Sequence, residues 1–110
     1  TVAPEAIPAL LEQIDELLAE PVEEPASLAR LERTLTDGYA YALALEAERW
    51  RLEQRMSELA GELGEGNREL KAKELALVSD RLATNSSLLT GLRGTLTRLR
   101  ARTSAVRNVG

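Results

Sequence analysis

Leucine-type residues recur alternately three and four positions apart in two long runs, one on each side of Gly64-Glu65-Gly66-Asn67. The first run passes through Leu28, Leu31, Leu35, Gly38, Ala42, Leu45, Arg49, Leu52, Met56, Leu59 and Leu63. The second passes through Leu75, Val78, Leu82, Asn85, Leu89, Leu92, Leu96, Leu99, Thr103 and Val106. A mean step of about 3.5 residues keeps one seam of an α-helix turned toward a neighbouring helix, and a seam sustained this far specifies a long helix–helix contact. Two such seams separated by a glycine-rich break predict an all-α fold: a long antiparallel coiled-coil helical hairpin.

A third, shorter amphipathic stretch precedes them. Ile7, Leu10, Leu11, Ile14, Leu17 and Leu18 form one apolar face, and acidic residues fill the other. A helix this short is marginal alone, so its face must be buried on something. Pro21 and Pro25 bracket a brief link to the next helix, which predicts that the short helix folds back and packs at the open end of the hairpin. The spacing therefore predicts a single helical domain over residues 1–110, with helix 1 about 4–20, helix 2 about 26–63 and helix 3 about 67–107. The two long helices would span roughly 57 and 60 Å at about 1.5 Å per residue. Gly64 is expected to stop helix 2, Asn67 to cap helix 3, and the last three residues to fray.

Pairing the two seams about the turn sets facing residue numbers to a sum of roughly 131, a geometric estimate for an antiparallel hairpin. In that register the polar interruptions Glu46, Arg49 and Asn85 coincide. They are expected to form a polar layer that sets register at some expense of stability. Gly38, Ala40 and Ala42 would face the stretch from Leu89 to Gly94. Gly91 and Gly94 fall outside the seam, where an exposed helical glycine costs about 1 kcal/mol relative to alanine. Close packing of helix 1 over them is the expectation, with a soft point or kink between Thr90 and Thr95 as the alternative.

The chemistry available is narrow. The chain has neither cysteine nor histidine, which removes thiol and imidazole chemistry, disulfides and most transition-metal sites. The carboxylates and the Ser86-Ser87 pair have no base, nucleophile or ligand spacing beside them, and no phosphate-binding glycine loop follows a strand. No catalytic, metal-binding or cofactor-binding residues are expected, and no cofactor. No apolar run reaches membrane-spanning length and no basic-then-apolar leader opens the chain, so a cytoplasmic location is expected.

Two further features bear on partners. Tyr39, Leu43 and Trp50 form a second apolar stripe on helix 2. Helix 1 can cover Tyr39 and Leu43 and leave Trp50 at the rim, or the stripe can serve self-association or a foreign partner, for which tryptophan is a favoured anchor. Charge is also polarised along the chain. Residues 1–27 carry acids and no base, whereas residues 81–110 carry Arg81, Arg93, Arg98, Arg100, Arg102 and Arg107 and no acid. The basic end, Arg98, Arg100, Arg102 and Arg107, is expected to pair with acidic helix 1 in the folded hairpin or between subunits. With a net charge of −4 and no interleaved aromatics, nucleic acid is not expected as a partner. The reading of the whole is a non-enzymatic protein–protein interaction module, an adaptor or scaffold, that forms a helical bundle as a homodimer. The alternative is binding of an anionic polymer or membrane surface through the arginine-rich end of helix 3.

Overall fold

The computed structural model describes residues 6–19 and 25–109, with side chains over 7–19 and 28–108. Three helices follow one another: α1 from Ala6–Ala19, α2 from Pro25–Glu62 and α3 from Arg68–Val109. Helices α2 and α3 pack against each other along their lengths as a hairpin, and the molecule with α1 measures 65 × 19 × 17 Å. Pro25 opens α2, where a proline lacks only an N–H that has no helical acceptor. Pro8 is accommodated in the first turn of α1 for the same reason. The expected start of helix 1 at Pro4 and its end at Glu20 lie outside the described residues. Helix α3 runs two residues further than expected, through Asn108 and Val109, because neither proline nor glycine interrupts it before Gly110.

Helix α2 ends at Glu62, just before Gly64, and α3 begins directly after Asn67, as the spacing of these residues predicts. Neither Gly64 nor Gly66 adopts a positive φ; the left-handed residue is Asn67, at φ 48°. Asparagine tolerates this region because its short polar side chain can bond locally. Asn67 caps α3 through its backbone: its carbonyl accepts the amide of Lys71 at 3.0 Å. The last carbonyls of a helix have no intrahelical donor and need outside partners. Here α3 supplies them. Lys71 Nζ donates to the carbonyls of Glu62 (3.2 Å) and Glu65 (2.8 Å), and Arg68 Nε donates to that of Leu63 (3.2 Å). A cation at a helix C-terminus also complements its dipole.

The core lies toward the open end. Ile7, Ile14 and Leu17 of α1 and Leu31, Leu92, Leu96 and Leu99 of the hairpin are almost fully buried in one cluster, each such side chain contributing about 1.5–3 kcal/mol. Gln13 of α1 donates to the hydroxyl of Thr34 on α2 at 3.4 Å, which places α1 on the flank carrying Thr34. Tyr41, seven residues on, is half-buried against the same cluster, as is Leu88 of α3, and Thr95 of α3 is buried. Beyond Leu45 toward the turn only two helices remain. There Leu59 and Val78 are buried, while Leu52, Met56, Leu63, Leu75 and Leu82 are half-buried.

Helix α1 does not close over Gly91 and Gly94. Both are exposed, and a Cβ at either would meet open space. Helix α3 continues through them, with Thr95 and Thr97 hydroxyls donating back to the carbonyls of Gly91 and Arg93 at 2.9 Å each. Gly38 is the close approach: a Cβ there would overlap Cδ2 of buried Leu96 and lie 3.3 Å from its Cγ. Of its expected companions, Ala42 is buried and Ala40 is exposed.

Candidate interaction surface

Two flanks border the seam between α2 and α3, and residues seven apart share a flank. On α2, Thr34, Tyr41, Glu48 and Arg55 form the row on which α1 lies; Glu32, Tyr39, Glu46 and Glu53 form the row on the other side. Salt bridges join matching rows of α3. Arg55 donates to Glu74 across the first flank at 2.8 and 3.0 Å and to Glu58 along α2 at 3.1 Å. Those hydrogen bonds, first to Glu74 and then to Glu58, raise the Arg55 pKa above its ordinary value, so the guanidinium stays charged throughout the accessible pH range. On the second flank Arg93 pairs with Glu46, and Arg107 donates to Glu32 at 2.5 and 2.9 Å.

Tyr39, Leu43 and Trp50 stand on this second flank, away from α1. The expectation that α1 covers Tyr39 and Leu43 is thereby corrected: their fractional exposures are 41% and 67%, and that of Trp50 is 62%. The reason is the row of Thr34 and Tyr41, which offers α1 a hydrogen bond and a half-buried ring on the opposite side. Tyr39, Ala42 and Leu43 of α2 and Leu96 and Thr97 of α3 line an open groove of about 520 Å³, with the Glu46–Arg93 pair at its rim. The absent side chain of Gly38 lets the Leu96 side of this groove sit close to α2.

The polar interruptions do not form one layer. Asn85 is buried and its Nδ2 donates to the carbonyl of Leu45 at 3.0 Å, while its Oδ1 is buried without a partner. Glu46 turns to Arg93, and exposed Arg49 donates to Glu53 one turn ahead at 2.9 Å. A long, flexible, charged side chain such as arginine finds a surface carboxylate more cheaply than it enters an apolar seam. An orphan buried acceptor costs about 1–3 kcal/mol, which offsets what the Asn85–Leu45 bond contributes.

The basic end is divided too. Arg107 pairs with Glu32 of α2 rather than with α1, where Glu12, Asp15 and Glu16 are exposed. Arg102 is half-buried and engaged. Arg98 and Arg100 are exposed and carry no ion pair among the described residues. Sequence reasoning placed Leu96 in the seam and Arg93 in a charge run; their shared groove was visible only as the seven-residue recurrence of Arg93, Arg100 and Arg107 opposite Glu32, Tyr39 and Glu46. Leu70 and Leu77 are exposed at 63% and 60% on the turn half of α3.

Among the described residues no group of three or more acidic side chains is placed to hold a metal ion, and no helix is long and apolar enough to cross a membrane. No protein-family model, no curated protein and no solved structure matches the chain. The surface therefore has to be interpreted from its own chemistry.

Proposed function

We propose that the chain is a non-enzymatic helical interaction module, an adaptor or scaffold, that works as a homodimer. The observation that carries this reading is the uncovered apolar surface of the hairpin: Leu43, Trp50, Leu70 and Leu77 are each at least 60% exposed, and the seam of the turn half has no third helix over it. Large apolar side chains left uncovered on a slender helical body, here Leu43 with Trp50 on one flank and Leu70 with Leu77 on the other, mark protein-binding surfaces. Two-fold pairing is the commonest way to bury such a surface.

Light scattering across a wide range of protein concentration tests the reading. A mass of twice the 12.0 kDa chain is expected, with the mass of one chain recovered on dilution. A mass of one chain at every concentration would refute homodimerisation. A second reading, binding of an anionic surface through exposed Arg98 and Arg100, rests on those two cations alone and predicts binding that falls steeply with salt.

A further inference from the structure

The self-association proposed above has to use one flank, and we infer that it is the flank of Tyr39, Leu43 and Trp50, on which a second copy docks antiparallel about a two-fold axis at Leu43. The α1 flank is already used. Helix α1 fills its open half, and the Arg55–Glu74–Glu58 cluster crosses its turn half, where a docking helix would have to strip water from three charges. The other flank has no helix over it among the described residues; it carries the Glu32–Arg107 and Glu46–Arg93 pairs, but it holds the apolar groove of Tyr39, Leu43 and Leu96 with exposed Trp50 beside it. A standard interface takes about 800 Å² from each partner, which is roughly three-quarters of a face 65 Å long and 17 Å wide.

The position of the axis follows from symmetry and from charge. Leu43 lies at the middle of α2, which spans Pro25–Glu62, and it borders the apolar groove. An axis there overlaps the two hairpins over their whole length and lets Leu43 of each copy enter the groove of the other. Three contacts place Arg100 along the hairpin. The Gly38–Leu96 approach sets it level with residue 34 of α2, and the Glu32–Arg107 and Glu46–Arg93 pairs set it level with Tyr39. Arg100 thus stands four to nine residues before Leu43, and Trp50 stands seven residues after it. The two-fold operation brings Arg100 of one copy level with Trp50 of the other, twice per dimer. In the row Arg93, Arg100, Arg107 it is Arg100 whose charge meets no carboxylate among the described residues. An indole face next to Glu53 suits that cation, and a desolvated cation–π contact is a strong anchor. The product is a four-helix core of two hairpins with each α1 on an outer side.

The chain has no cysteine, so single introduced thiols report the geometry directly. A residue beside a two-fold axis meets its own copy. Leu43→Cys should therefore crosslink into a covalent dimer on mild oxidation, and Leu77→Cys, on the other flank, should not. Leu43→Arg should weaken dimerisation about 100-fold with helical content retained, since it brings like charges together at the axis. Trp50→Ala and Arg100→Ala should each weaken it about tenfold, and the double variant by less than the product, because contacting side chains are coupled. Crosslinking through position 77 instead of 43, or a Leu43→Arg chain that still dimerises like the parent, would overturn this flank while leaving homodimerisation intact. Fully multiplicative losses from Trp50→Ala and Arg100→Ala would overturn the antiparallel arrangement. A parent chain with the mass of one copy at every concentration would sink the dimer itself and this inference with it.

Discussion

The open half and the turn half of the hairpin carry the same three-four spacing, yet they reach different depths of burial. Around Leu31, Leu92, Leu96 and Leu99 a third helix closes the seam, and these side chains are almost wholly withdrawn from water. Around Leu52, Met56, Leu75 and Leu82 the seam is made by two helices only, and these side chains remain half-buried, with only Leu59 and Val78 among the described seam residues there withdrawn from water. The difference teaches that a heptad pattern specifies which side of a helix meets its neighbour. How many helices surround that side, and so how much each leucine contributes, is set by what packs over the flanks.

The largest test of this contrast is truncation of matched side chains, measured by urea unfolding at a concentration where the chain is monomeric. Ile14→Ala and Leu92→Ala should each lose about 3 kcal/mol, whereas Leu52→Ala and Leu82→Ala should lose about 1 kcal/mol, because a half-buried site leaves less cavity and less transfer energy. Equal losses in the two halves would break the comparison. Glycines give a smaller effect that changes sign. Gly38→Ala should lose about 1–2 kcal/mol, its added methyl forcing buried Leu96 aside, despite a gain of about 1 kcal/mol in helix propensity. Gly91→Ala and Gly94→Ala, which meet open space, should each gain about 0.5–1 kcal/mol and raise the melting midpoint. The smallest effect belongs to the tip. Lys71→Met should lose about 0.5 kcal/mol, read as faster amide exchange in the last turn of α2, because the Glu62 carbonyl keeps only the Glu65 amide and the Glu65 carbonyl in the turn loses the ammonium.

The hairpin, its two seams and the docking of a short helix at the open end were legible because periodicity over many turns leaves little freedom in which face is buried. Leu45, Leu59, Val78, Leu89 and Leu92 are buried as their spacing requires. The choice of flank for α1 was not legible. Both sides of α2 offered apolar residues, Tyr39 with Leu43 on one and Tyr41 with Ala44 on the other, and the decision rests on the Gln13–Thr34 bond and the fit against Leu88 and Thr95. Gly91 and Gly94 misled for a related reason: a small residue in a helix permits close packing without requiring it. At the turn, glycine marks flexibility, but the structure put the left-handed conformation on Asn67 and used Arg68 and Lys71 to satisfy α2. Such caps depend on a few side-chain torsions and leave no periodic trace.

Asn85 carries the same lesson at one atom. Its amide nitrogen was expected to join a charged layer, and it binds a backbone carbonyl instead, because flexible charged neighbours can reach water while a buried amide cannot.

The uneven cover of the hairpin also bears on how the molecule comes apart. Among the described residues helix α1 meets the hairpin through one apolar face and the Gln13–Thr34 bond, and α2 and α3 go on without it past Leu45. It can therefore lift away as a unit of its own, at a smaller free energy than separation of the two long helices. Thermal fluctuation then has a sequence in time: α1 departs, Ile7 and Ile14 meet water together with Leu31 and Leu99, and every stretch of the hairpin is briefly a two-stranded rod.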